Sequence, residues 1–416
     1  MHSKTPLLYP ALTIAIALLA SDASAGEGLQ IHVHAGQFER REMVVQAALP
    51  GGIDTRTGSL TLAGKPVEWQ PGQNGGIWFR MVPLAAGASA TYEFAPAKEQ
   101  QSPKPNLSHL RAERRGQRVE FTMESSAAPG QALMAYQAEP SEFPRADIKP
   151  AFRRGGYLHP IRTLSSRLVT DDFPPNHIHH HGVWWAWTLT EFDGRKPDFW
   201  NMGDGKGRVE FVSAGEPWSG RLAAGVTARH RFVDLTASPA VTVLNETWHI
   251  TTQLESPAPG AWMFDLVSEQ ECATAHTLRL PMYRYGGIGL RGNWAWNGKD
   301  ATHFLTSEGE TNREKGHATR ARWCDMAGDV DGKRAGMAIL SHPENFRHPE
   351  PMRIHPTEPF FNFAPQQAGD MVIKPGTKYV WRYRFVIHDG PPDRAALDRI
   401  WNDYAHPPRI VVTPRR

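Results

Sequence analysis

Apolar and polar residues alternate over many short stretches of this chain, among them 43–49 (MVVQAAL), 77–82 (IWFRMV), 119–123 (VEFTM), 241–250 (VTVLNETWHI) and 379–387 (YVWRYRFVI). A period of two is that of a half-buried strand. In the last stretch Trp381, Tyr383 and Phe385 share one face and Val380, Arg382 and Arg384 the other, which predicts one dry face and one wet. Helical periodicity is confined to 394–404 (RAALDRIWNDY), where Leu397, Ile400 and Trp401 fall on one side. The 37 glycines and 34 prolines spread along the chain keep the segments short. Many short strands between turns predict an all-β fold, a large β-sandwich or barrel, and no repeat of fixed period points to a propeller.

The polar run 97–108 (AKEQQSPKPNLS) has the composition of a linker. It divides a small immunoglobulin-like β domain over 26–96 from a large β-sandwich domain over 109–408, and a chain starting near Leu107 is expected to fold without the N-terminal domain. Residues 1–25 read as a signal peptide: Lys4, an apolar core over 11–20 (ALTIAIALLA) and the small-residue cleavage site Ala23-Ser24-Ala25. Cleavage near Ala25 predicts a periplasmic or extracellular protein. No later stretch reaches the ~18 apolar residues of a spanning helix, so no membrane span is expected.

Lys and Arg number 46 against 43 Asp and Glu, a net charge of +3 with no long basic run, which argues against a nucleic-acid partner. Cys272 and Cys324 are too few for a disulfide scaffold; one bridge and two separate thiols are both open. There is no GxSxG elbow, and 285–291 (YGGIGLR) lacks the GxGxxG of a dinucleotide site.

The densest chemistry is FPPNHIHHHGVWWAWT. His177, His179, His180 and His181 are followed by Trp184, Trp185 and Trp187 within eleven residues. Imidazoles serve as proton carriers or metal ligands near neutral pH, and indoles as flat walls for a sugar ring. Read as one strand from His179, the stretch puts His179, His181, Val183, Trp185 and Trp187 on one face. A metal set of His177, His179 and His181 is the alternative, but the carboxylate such sites usually include is not at the expected spacing. Further polar groups occur in Tyr157-Leu158-His159-Pro160, Asp198-Phe199-Trp200, Tyr285 to Arg291, Ser307-Glu308-Gly309, Ala321-Arg322-Trp323, His342-Pro343-Glu344-Asn345 and His388-Asp389-Gly390.

In that order these segments, from about 150 to 390, resemble an uncharacterised family of mostly bacterial secreted proteins labelled methane-oxygenase-like or as a domain of unknown function. The family's cluster is similar to DHPHHRG; here Asn176, Ile178 and His181 stand for its Asp, Pro and Arg. The resemblance implies that His177, His179 and His180 carry the shared chemistry, on an extracytoplasmic β-sandwich handling carbohydrate. A mutarotase-like supersandwich is the fold analogy.

The reading is therefore a secreted carbohydrate-active hydrolase, lyase or epimerase. His159, His177, His180, Arg291 and Glu308 are the catalytic candidates. His179, Trp184, Trp187, Asp198, Trp200, Arg322, His342, Asn345 and His388 are the substrate-binding candidates. No cofactor is expected, with a divalent ion as the alternative, and the partner is a small molecule or oligosaccharide. A non-catalytic saccharide-binding protein and a metal-dependent oxygenase are the rival readings. Convergence of the scattered motifs on one cleft separates an enzyme from a binder.

Overall fold

The computed structural model describes residues 28–73, 75–96, 109–125, 130–138, 142–255 and 257–415. The signal segment 1–25 and the linker 97–108 lie outside them. The described chain is all-β, built on a large sandwich of two eight-stranded antiparallel sheets. The front sheet runs, edge to edge, Met352–Ile354, Phe360–Phe363, Gly287–Arg291, Val183–Ala186, Tyr157–Ile161, Gln131–Gln137, Arg118–Glu124 and His109–Arg115. The back sheet runs Gly207–Ala214, Ala223–Asp234, Val241–Gln253, Ala261–Cys272, Tyr379–Asp389, Lys333–Ser341, Trp323–Val330 and Thr302–Thr306.

The facing surfaces share one core. Trp185 meets Trp381 at 5.4 Å and Tyr383 at 5.8 Å, and Phe363 stacks on Tyr383 at 5.9 Å. A polar chain is sealed between the sheets. Tyr136 Oη lies 2.7 Å from Nε2 of His230, whose Nδ1 is 3.1 Å from Glu246. Glu246 also accepts from Ser268 and Gln270. These bonds satisfy polar groups that would otherwise cost about 1–3 kcal/mol each in a dry interior.

The helix Arg394–Ala405 forms where the periodicity predicted, capped by Asp393, which accepts from the amide of Ala396. Leu397, Ile400 and Trp401 pack on Met263, Trp323, Leu340 and Val386 of the back sheet's outward face. That cover corrects the expected wet face of 379–387. Arg384 is buried, held bidentately by Asp265 at 2.7 and 2.8 Å with its guanidinium over Tyr404. A strand that alternates apolar and charged residues can still be buried on both sides when each charge has its partner.

Residues 29–96 form two smaller sheets around a separate core of Leu29, Ile31, Phe79, Tyr92 and Phe94, among others. The chain's last strand, Arg409–Pro414, returns to pair with Leu29–His34, beyond the 109–408 range read from sequence. Gln70 joins this region to the sandwich, accepting from the amide of Leu222 at 2.6 Å and donating to the carbonyl of Ala223. Cys272 and Cys324 are both free thiols.

Candidate functional site

The strand reading of the histidine cluster gives way to a turn. Pro174 and Pro175 withhold backbone donors and fix φ. The amide of His177 bonds to the carbonyl of Pro174, and that of His180 to the carbonyl of His177. The strand begins only at Val183. The loop folds over the outward face of the front sheet, where Tyr157, His159, Trp184, Arg291, Phe360 and Asn362 share one side by register. Gly182 permits the crossing, since a Cβ there would stand 2.2 Å from the carbonyl oxygen of Leu158. Gly289 lets the ring of Trp184 lie across its strand, with a Cβ predicted 3.1 Å from the indole.

At the centre is Glu358, on the loop between the last two strands of the front sheet. Its Oε2 accepts from Nη1 of Arg291 at 2.5 Å and lies 2.9 Å from Nδ1 of His177. The imidazole contact is close but off the line of a good hydrogen bond. Nη2 of Arg291 donates to Asn297 at 3.0 Å and Asn176 at 3.2 Å. Burial alone would raise the pKa of Glu358, but His177 and Arg291 outweigh it and hold the carboxylate at about 2. Burial, with His177 and His181 adding to it, lowers His179 to about 3. Burial also lowers His355 to about 4 despite the nearby Glu358, and His180 falls well below the usual range. At neutral pH the site thus holds an ionised carboxylate at Glu358, the guanidinium of Arg291 and neutral imidazoles at His179, His180 and His355.

His177 is 31% exposed and presents its ring to solvent. Its neighbours are His179 at 5.6 Å, His180 stacked at 4.7 Å and His355 at 5.8 Å. Behind His180 stands an aromatic wall of Trp184, Phe360 and Trp200. Trp184 and Trp200 are 0% and 1% exposed, so they line the floor and offer no free ring to a ligand. Trp187 is further off, inside the sandwich, donating to Gln270. The exposed indole is Trp294, at 48%, beside Asn297, whose amide donates to its carbonyl.

The structure brings His177, His179, His180 and Arg291 together, with His159 on the same face but bonded to Thr170. Asp198 caps its own turn, accepting from the amides of Trp200 and Asn201. The remaining candidates lie on the back sheet, around or beneath the C-terminal helix. Arg322 pairs with Asp398 and covers Trp401, and His342 meets Tyr404. The exposed Glu308 accepts from Ser307, whose carbonyl is held by Arg394. Asn345 bonds inside the core to Ser341, Glu350 and Arg382, and His388 is buried against Asp325 at 2.8 Å. The expected single cleft is therefore two places, because polar residues in ordered motifs also build the sheet–helix junction.

His181 does not join His177 and His179 as a metal set. It is fully buried, stacked on Tyr157 at 4.3 Å with Nδ1 2.6 Å from Asp172, and burial keeps its imidazole neutral. The group of metal-capable atoms found among the described residues is instead His177, His355 and Glu358, within 4.8 Å of one another. Their fit to a cation is poor. Arg291 already occupies Oε2 of Glu358, and Nδ1 of His355 accepts the amide of Glu358 at 3.1 Å. His355 and Glu358 were not singled out from sequence. The signal was the His-Pro-Thr-Glu-Pro run, a His and a Glu three apart in a proline-held loop.

These features sit within a recognised sequence family: the chain belongs to a family of unknown function (DUF6807), which matches residues 123–402. Its description names no activity. Among solved structures, an α-mannosidase from Enterococcus faecalis V583 is similar with a TM-score of 0.45 at 9% identity, over 94% of this chain and 46% of that one. The chain thus spans about half the length of that structure. No curated protein matches the sequence.

Proposed function

We propose that the outward face of the front sheet is the active site of a carbohydrate-active enzyme, with His177 as the proton-transferring group. The scattered motifs do not converge and so lend an enzyme no support; the contact of His177 with Glu358, itself held by Arg291, is what carries this reading. A carboxylate beside Nδ1 stabilises the imidazolium that forms when Nε2 accepts a proton from a sugar hydroxyl or an attacking water. The neutral His179 and His355, with the amides of Asn176 and Asn297, supply the mixed donors and acceptors that a ring of hydroxyls requires. Trp294 supplies a solvent-facing ring for the sugar's C–H face. We place this activity in the periplasm or outside the cell after cleavage near Ala25, which N-terminal sequencing of the exported protein tests.

The experiment is incubation of the purified protein with an oligosaccharide library and detection of products by mass. Turnover should fall ~100-fold or more in His177→Ala, the scale of a lost general base, while the thermal midpoint stays near that of the wild type. Undiminished turnover in His177→Ala overturns the assignment. Saccharide binding without turnover makes the face a binding site only.

A further inference from the structure

Next to the His177 centre lie two guanidinium groups with no acidic partner. Arg353 stands on the same outward face, opposite Asn362, while its neighbours Met352 and Ile354 point into the core. It is half-buried, and the hydrogen bond it makes among the described residues is a long one, 3.4 Å from Nη1 to the carbonyl of Ile354. Arg284 is exposed, its guanidinium 5.5 Å above the ring of Tyr285. No carboxylate lies within ion-pair distance of either among the described residues; of the buried arginines, Arg40, Arg291 and Arg384 each have one, while Arg154 and Arg313 are held by several backbone carbonyls instead. The groups that Arg353 does feel are Arg284, Tyr285, His317 and His355. Nδ1 of His317 is itself buried without a hydrogen-bond partner.

The patch is continuous with the site. His355 contacts His177 at 5.8 Å, and Tyr285 contacts Trp200, the floor of the site, at 5.3 Å. Like charges gathered in a partly desolvated place cost free energy until an anion enters, and guanidinium forks match planar oxyanions bidentately. We infer that Arg353 and Arg284 bind the anionic group of an acidic saccharide, a uronate carboxylate or a sulfate ester, whose ring lies over the His177 centre. This rests on the saccharide reading above and narrows its substrate class.

The test is calorimetric titration of the full chain with oligomers of galacturonate, glucuronate, mannuronate and guluronate. Each is paired with its carboxyl-reduced counterpart, and a sulfated glycosaminoglycan hexasaccharide forms a further arm. At least one acidic oligomer should bind tenfold or more tighter than its neutral counterpart, and added salt should weaken it. Arg353→Ala and the safely exposed Arg284→Ala should each erase that preference. A preference confined to the sulfated arm identifies the sulfate ester as the group. If neutral oligomers bind as tightly and turn over through His177, the inference falls and the saccharide reading stands. If no oligomer binds, both fall. A preference unchanged in both arginine variants also overturns it.

Discussion

Nη1 of Arg291 lies 2.5 Å from Oε2 of Glu358, tying a fully buried strand residue to a loop residue 67 positions later. Glu358→Gln replaces the charge while Arg291 keeps its bonds to Asn176 and Asn297. Stability should fall by about 1–3 kcal/mol in urea unfolding at pH 7, the worth of a charged hydrogen bond. The folded carboxylate titrates near 2, below its unfolded value, so its contribution is present above ~4.5 and is lost as pH falls toward 2. The gap between wild type and variant should therefore close on acidification. A gap that is constant from pH 7 to pH 3 contradicts the pairing.

Glu350 has the opposite sign. It is fully buried, bonded by Ser341, Tyr383 and Asn345, and burial raises its pKa to about 7. A carboxyl raised on folding contributes most below its unfolded value of ~4.5, and that contribution is lost as pH rises through about 7. Glu350→Gln cannot ionise, so relative to wild type it should gain stability between pH 5 and pH 9. A gain of about 2–3 kcal/mol is the scale, at ~1.4 kcal/mol per pKa unit. Thermal midpoints of both proteins across that range check it; parallel curves refute it.

Much of the fold was legible because local period and burial agree. The alternation in 379–387 became a central strand, and the single amphipathic run became the helix from Arg394 to Ala405. What covers a face was not legible: nothing near Arg384 announces Asp265, which pairs with it only through strand register. The site split the same way. His177, His179 and His180 stood out by local density, but Glu358 and His355 reach them through the order of strands in the front sheet. Trp184, Trp187 and Trp200 drew notice as indoles, whereas the exposed ring belongs to Trp294, in a turn that no periodicity marks.

Trp294→Ala separates those two roles of tryptophan. The residue is 48% exposed, so its loss should cost about 1–2 kcal/mol, less than the ~3–5 kcal/mol of truncating a core tryptophan. Saccharide affinity should drop severalfold to tenfold if the ring is the stacking surface. Unchanged affinity in the same titrations removes Trp294 from the site. Gly289→Val is the contrasting case, because even a Cβ would stand 3.1 Å from the ring of the buried Trp184. Overpacking of this kind costs about 1–3 kcal/mol, and a variant as stable as wild type would show that the aromatic floor yields easily.

Chelation should leave both turnover and thermal midpoint unchanged. A divalent ion at His177, His355 and Glu358 would compete with Arg291 for Oε2 of Glu358 and sit beside its positive charge. His355 accepts a backbone N–H at Nδ1, so in its neutral form Nε2 carries the proton and offers no lone pair to a metal. Elemental analysis of protein purified without an affinity tag decides the point. Near-stoichiometric zinc, iron or copper that disappears in the His177→Ala/His355→Ala variant would overturn the acid–base assignment. So would a divalent ion that restores activity after chelation and raises the thermal midpoint with concentration, as mass action requires of a ligand that binds only the folded state.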